Sequence, residues 1–291
     1  MWGLPEIKNK TFIFAAALLL GLCVFARVNI SASGPEAGFY FLDVGQGDSE
    51  LIITQNGGKI LTDAGQGSRV ISALALVLGP TEKYIDLVVI SHPQLDHYGG
   101  MRYVLDSYDI GAVLTNGRVP QVVSAEWTSM TQKLKEKDIP MIAVAKGDAI
   151  AFEEDGMKIL SPDKLLLSGK DENEATLVTR ATVGGISALF TGDIGKKTEV
   201  KLSLRGNDIR SDILKVAHHG SKYSVSAQFL DAVKPILAVI EVGKNSYGHP
   251  SKEALNSLAD KDIPVLRTDL FGTISAFFGA GELKVSTEKG R

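Results

Sequence analysis

Five histidines occur in the chain: His92, His97, His218, His219 and His249. The first two lie in Ser91-His92-Pro93-Gln94-Leu95-Asp96-His97-Tyr98-Gly99-Gly100. There His92, Asp96 and His97 bring two imidazoles and a carboxylate within six residues. Those are the donors of a divalent metal site. Alone, H-x-x-x-D-H is a weak signal and reads equally as a helix-capping loop with incidental histidines. Thr191-Gly192-Asp193 adds a carboxylate, though a Gly-Asp pair is more commonly a turn. Val216-Ala217-His218-His219-Gly220-Ser221 adds two imidazoles. If the strand before them continued, they would point to opposite sides, one as a ligand and the other behind it or toward a substrate. Tyr247-Gly248-His249-Pro250 adds the last, by default a surface residue. The joint pattern changes the weighing. All five sit at strand ends or adjoining loops beside glycine or proline, as expected of one metal site assembled from several loops.

Apolar runs with turn signals between them supply the elements that position these groups. Ile85–Ser91 is a buried strand ending at His92, Ile186–Thr191 a strand ending at Asp193, and Ile213–Ala217 a strand ending at His218. Phe39–Val44, Leu51–Thr54, Lys59–Thr62, Ala112–Thr115, Ala238–Val242, Val265 and Thr273–Phe278 read as further strands. Glycine pairs at Gly57-Gly58 and Gly184-Gly185 mark hairpins. Helices are expected over Val70–Leu78, Gly99–Ser107, Ser124–Lys137 with Ser124 as N-cap, Lys196–Leu204, Ser226–Ala232 and Ser251–Leu258. Hairpins and helices in both halves predict two sheets packed face to face with helices outside. Asp43 and Asp48 in Phe41-Leu42-Asp43-Val44-Gly45-Gln46-Gly47-Asp48-Ser49, and Asp63 in Asp63-Ala64-Gly65, are either turn residues or carboxylates that orient a ligating imidazole. Asn173-Glu174-Ala175-Thr176-Leu177 leads into another strand.

With 291 residues, 44% hydrophobic and 22% charged, the composition excludes collagen-like, coiled-coil and wholly disordered chains. A net charge of −3 gives no basic body for bulk nucleic-acid binding. Cys23, the single cysteine, excludes an intramolecular disulfide and a thiolate zinc cage. Thr11 to Ala26 (TFIFAAALLLGLCVFA) is uncharged. Its span of roughly 24 Å is short of a bilayer core of about 30 Å. Residues 1–30 are read as a membrane anchor, or alternatively a signal segment cleaved to release a secreted protein. Residues 31–38 are read as a linker and 39–291 as one catalytic-type domain. Lys8 and Lys10 ahead of the run weakly place the N-terminus in the cytoplasm and the body outside.

The ordered set FLDVGQGDS, LTDAG, SHPQLDHYGG, Asn-x-x-Thr-Leu, LFTGD, VAHHGSKYS and SYGHPS resembles the metallo-β-lactamase superfamily, specifically its ComEC-type DNA-internalisation branch. The resemblance covers about Phe39 to Phe278. It implies an αββα four-layer sandwich with the metal site at one edge. It maps the family's H-x-H-x-D-H onto His92, Gln94, Asp96 and His97, the bridging aspartate onto Asp193, and the late metal histidine onto His218. Gln94 departs from the usual ligand, and the stretch around Asn173 and Thr176 stands where a mid-chain metal histidine is absent. One or two ions are expected: the pocket of Asp96, His97, Asp193 and His218, with His92 beside it, is complete, and the other is the one that Gln94 alters. Zinc and manganese suit the mixed donors.

The implied activity is metal-dependent hydrolysis of a phosphodiester, with DNA, chiefly single-stranded, as substrate. Asp96 would accept the water proton, His219 or His249 would stabilise charge or protonate the leaving oxygen, and Ser221 and Lys222 would contact phosphate. Asp43, Asp63 and Gln94 would support the ligands from behind. A separate channel protein is an expected partner, since one apolar segment cannot form a channel. The alternatives are a same-fold hydrolase of a small phosphodiester or lactone, and a non-catalytic accessory module with a decayed site.

Overall fold

Two sheets are built from strands in which every second side chain turns inward. In the computed structural model, which describes residues 34–204, 209–279 and 282–290, the first sheet holds β1 (Gly38–Phe41), β2 (Glu50–Ile53), β3 (Lys59–Thr62), β4 (Tyr84–Ile90), β5 (Asp109–Thr115) and β6 (Met141–Ala143) in that order. β14 (Ile274–Gly279) and β15 (Glu282–Thr287) extend it beyond β1. The second sheet runs from β7 (Ala149–Phe152) through β8 (Asp155–Ser161), β9 (Val178–Val183), β10 (Ile186–Phe190), β11 (Ile213–Lys215) and β12 (Leu237–Ile240) to β13 (Val265–Arg267). β3 to β6 are mutually parallel, and so are β10 to β13.

Phe39 and Phe41 of β1, Ile52 of β2, and Ala188 and Phe190 of β10 meet between the sheets, whereas Tyr40, Leu51 and Leu189 face the outer layers. The Phe190 ring lies 5.9 Å from that of Phe39 and 6.1 Å from that of Phe41. Each such burial stabilises the fold by about 1.5–3 kcal/mol. Helices Arg69–Leu78, Met101–Ser107 and Ala125–Glu136 cover the first sheet, while Lys196–Leu204, Ala227–Val233 and Lys252–Ala259 cover the second. This is the expected four-layer order of helix, sheet, sheet and helix. Ser124 caps its helix by accepting the Trp127 N–H at 3.0 Å, and Ser251 accepts that of Ala254 at 3.1 Å. Gly184 and Gly185 join β9 to β10 with φ of 56° and 88°, the left-handed pair that a two-residue hairpin needs.

The segment read as a membrane anchor, residues 1–30, lies outside the described residues, as do residues 31–33 of the 31–38 linker. Among the described residues no helix is long and apolar enough to cross a membrane.

Candidate metal centre

Asp63 follows β3, His92 follows β4, Asp193 follows β10, and His218 and His219 follow β11. Each stands just beyond the carboxyl end of a strand belonging to a parallel run. This is the edge of an α/β sheet at which chain segments diverge and leave a crevice. The loops are locked to one another through the backbone. Ala64 N–H donates to the His97 carbonyl at 2.7 Å, Gly65 N–H to that of Asp48 at 2.9 Å, and Asp48 N–H to that of Asp96 at 3.3 Å. Gly47 makes this junction possible: its φ is 126°, and a Cβ there would overlap the Asp96 carbonyl oxygen.

All five imidazoles converge. Ring centroids are 4.1 Å apart for His92 and His97, 5.8 Å for His97 and His219, and 5.6 Å for His218 and His249. Around Asp193 Oδ2 lie the Nε2 atoms of His97 at 3.5 Å, His218 at 3.7 Å and His219 at 3.8 Å. Asp96 approaches from the other side, 3.4 Å from His219 Nε2 and 3.9 Å from His97 Nε2. His92 joins His97 and Asp193 in one donor group, and Asp48 joins Asp193 and His219 in another.

At 3.4–3.9 Å these separations are longer than ordinary N–H···O hydrogen bonds. Two donors sharing a tetrahedral ion at about 2.0–2.1 Å would lie roughly 3.3 Å apart. The Nε2 atoms of His92, His97 and His219 and Oδ1 of Asp193 are buried with no hydrogen-bond partner among the described residues. Orphaned donors aimed at one point are the signature of a cation site. The residues present fit a divalent ion.

The far side of each ring is held. Asp63 Oδ2 lies 2.7 Å from His97 Nδ1, and the same carboxylate accepts the Ser91 N–H at 2.8 Å. Ser91 Oγ lies 3.0 Å from His92 Nδ1. His219 Nδ1 is 2.9 Å from the Glu241 carbonyl and 3.1 Å from Asp48 Oδ1. Such contacts fix the tautomer that leaves Nε2 for an ion.

Electrostatics agree. Burial alone would discharge His97 and His219, yet Asp193 with its neighbouring acids pushes His97 well above the usual imidazole range and His219 up to about 10. Burial likewise opposes ionisation of Asp193 and Asp96, but His219 and His97 for the former, and His97 and His219 for the latter, hold both carboxylates down. Without an ion the acids draw protons onto the rings; a divalent cation would meet the same field. His92 is the exception, lowered to about 4 by burial and by His97. His249 is lowered by burial and by His218 and His219.

The opening is a cavity of about 540 Å³ reached by Gln94, Asp96, Asp193, His218, His219 and His249. Ser221 and Lys222 border an adjoining depression of about 470 Å³. Gln94 does not face the ion position as a lone amide: its Nε2 donates to Asn173 Oδ1, so the two amides close on each other. Asp43 is not drawn into the shell behind the ligands. It accepts the Gly45 N–H at 3.3 Å and pairs with Lys289 at 3.1 Å.

Asp48, one of the two carboxylates of the first glycine-rich loop, backs His219. Three groups were not singled out from sequence. Lys215, fully buried on β11, donates to Asp48 and to the Gly192 carbonyl at 3.2 Å. Glu50 and Glu241 form a buried acid group with Asp48. Each is a charge inside or beside an apolar run, in ILKVA, SELII and AVIEVG, and that misfit was the available signal.

The metallo-β-lactamase superfamily model matches residues 42–240. ComE operon protein 3 of Bacillus subtilis (strain 168) is 30% identical over 254 residues, covering 80% of this chain and 32% of that protein. Competence protein ComA of Neisseria gonorrhoeae is 30% identical over 256 residues, covering 86% of this chain and 33% of that protein. The chain thus spans about a third of the curated relatives it matches. Among solved structures, CmlA, a diiron β-hydroxylase from Streptomyces venezuelae, superposes with a TM-score of 0.52 at 13% identity, over 87% of this chain and 54% of that one. Zn2+-bound PqqB from Methylobacterium extorquens gives 0.50 at 12% identity, over 78% and 87%. At such identity these two speak to the fold alone.

Proposed function

The chain belongs to the metallo-β-lactamase superfamily, and from that premise we propose that it is a metal-dependent phosphodiesterase that cuts DNA, single strands foremost, in a competence-type uptake role. The observation that carries the reading is the convergence of orphaned Nε2 atoms on Asp193 and Asp96 beneath an open cavity. The similarity to competence proteins supports the DNA part.

Asp96, His97, Asp193 and His219 would hold the ion, with His92 and His218 beside them; zinc and manganese both suit these donors. Once bound, it would polarise a phosphoryl oxygen and lower the pKa of a water. The chain's own groups do the rest. Asp96 stands at the cavity edge, where its carboxylate can accept a hydrogen bond from the attacking water and take up its proton. His249, held neutral at the cavity wall, suits a hydrogen bond to a phosphate oxygen better than the part of a strong acid. Lys244 on the same wall, and Lys222 next door, attract the anion. Lys8 and Lys10 ahead of the apolar run support an extracytoplasmic body on an N-terminal anchor, where a separate channel protein would act beside it.

The test is elemental analysis of the purified chain together with hydrolysis of single-stranded DNA and of bis(p-nitrophenyl) phosphate, with added zinc or manganese. We expect bound ion in the purified chain and activity on DNA that Asp193→Ala abolishes. Activity on the small diester alone would end the DNA reading. The Gln94–Asn173 amide pair favours a second reading, a decayed accessory module; neither bound ion nor hydrolysis after metal loading would establish it.

A further inference from the structure

We propose that Tyr247 and Tyr223 form a base-stacking platform beside the metal centre, so that the preferred ligand is an unpaired polynucleotide rather than a duplex or an isolated phosphodiester. This rests on the phosphodiesterase reading and names its substrate class.

The cavity at the ion site and the adjoining depression share His218, Tyr247 and His249 on their walls, so they lie side by side. Tyr247 is 75% exposed and Tyr223 66% exposed, the first on the shared wall and the second in the depression beyond it. Single exposed aromatics are ordinary on protein surfaces. Two of them flanking a histidine cluster, on backbone that is fixed, are less so. Asn245 locks the Tyr247 loop: its Oδ1 accepts the N–H groups of Tyr247 and His249 at 3.1 Å each, and its Nδ2 donates to the Gly243 and His249 carbonyls at 2.9 Å each. Tyr223 is held by its own N–H on Ser221 Oγ at 3.3 Å and by its carbonyl, which accepts the Lys196 N–H at 2.8 Å. The backbone that carries both rings is therefore fixed, which lowers the ordering cost of a binding surface.

The charges match a nucleic-acid strand. Lys222 and Lys252 border the outer depression with Glu253, and Lys244 borders the inner cavity, whose acids Asp96 and Asp193 face the ion position. The Lys222 ammonium sits 5.1 Å over the Tyr223 ring, and the Tyr247 ring lies 5.8 Å from that of His249 at 32°. Lysines for the backbone interleaved with aromatic faces for the bases are how proteins hold single strands without reading sequence. A duplex keeps its base faces stacked internally and cannot use such rings.

The experiment measures binding of a fluorescein-labelled dT12 oligomer and of an abasic deoxyribose-phosphate oligomer of equal length by anisotropy. It uses the full chain in detergent with EDTA present, so that no cleavage occurs. We expect the wild type to favour dT12 by about 5- to 100-fold. Tyr247→Ala and Tyr223→Ala should each reduce that preference while leaving the abasic oligomer's affinity within twofold. Tyr247→Phe and Tyr223→Phe should restore it, since stacking needs the ring and not the hydroxyl. Equal wild-type affinity for the two oligomers, no binding of either, alanine variants that weaken both equally, or phenylalanine variants as weak as alanine would each overturn the proposal. Failure of the phosphodiesterase reading is distinguishable: the base preference would persist while the metal-loaded protein hydrolysed nothing.

Discussion

Changing Asp63 to Asn should cost metal affinity out of proportion to stability. The Asp63 carboxylate is buried, with Oδ1 accepting the Ser91 N–H at 2.8 Å and Oδ2 lying 2.7 Å from His97 Nδ1. An ionised carboxylate only accepts, so His97 Nδ1 carries a proton and Nε2 can offer a lone pair toward Asp193 and Asp96. The amide introduced by Asp63→Asn has two ways to sit. With its oxygen on the Ser91 N–H, its amino group faces His97 Nδ1; the imidazole proton then moves to Nε2 and the lone pair is lost. Flipped, its amino group opposes the Ser91 N–H, and an unmade buried hydrogen bond costs about 1–3 kcal/mol. Either way the ligating tautomer is penalised, and disrupting such a support typically weakens metal binding by about 10–100-fold, roughly 1.4–2.7 kcal/mol. Since the amide is isosteric with the carboxylate, the fold should persist. Competition with a chromogenic chelator, alongside circular dichroism, measures both. A folded Asp63→Asn protein whose metal affinity stays within twofold of wild type would refute the tautomer argument.

Two further predictions concern the charges behind the site. Lys215→Met should destabilise the protein by about 3–5 kcal/mol in urea unfolding, because it leaves the buried Asp48 carboxylate without its ammonium partner; a loss below about 1 kcal/mol would contradict the pairing. Glu241→Gln should flatten the pH dependence of stability. Burial, with the Asp48 charge, raises the Glu241 carboxyl from 4.5 to about 8. The native state therefore keeps a proton that the unfolded chain has shed. This stability is fully present below pH 4.5 and is lost as pH rises through about 8, at no more than about 1.4 kcal/mol per pH unit. Urea midpoints at pH 5.5 and 8 should differ less in Glu241→Gln than in wild type; equal differences would reject the assignment.

Sequence patterning located the central strands because buried strands are continuous apolar runs. Tyr84–Ile90 and Ile186–Phe190 lie within a residue or two of the runs that announced them. β6, β7, β8 and β15 went unseen, for related reasons. Met141–Ala143 is three exposed residues at the edge of the first sheet, while Ala149–Phe152 and Glu282–Thr287 are edge strands with mixed or exposed faces. Edges are under little hydrophobic pressure, so their pattern is weak. β8, in contrast, is largely buried, but Gly156 and Lys158 interrupt its apolar run. Lys215 was hidden differently. Read in ILKVA, it is one polar residue in a strand, and its partner Asp48 stands 167 positions away. Only the pairing of chain-distant loops explains why a lysine is tolerated there.

The adjacent histidines show what spacing cannot decide. An extended His218-His219 pair would split across the sheet, one ring to each side. The backbone instead turns left-handed at both, with φ of 51° and 53°, so both Nε2 atoms come within 4 Å of Asp193 Oδ2. What separates their roles is the other nitrogen. His219 is buried, and its Nδ1 is fixed by the Glu241 carbonyl, so the proton an arriving ion would displace is the one on Nε2. His218 has a side chain 31% exposed on the wall that the two depressions share, and its Nε2 lies 3.7 Å from Asp193 Oδ2. His219 is thus the ring held from behind, while His218 touches both the acid cluster and the opening.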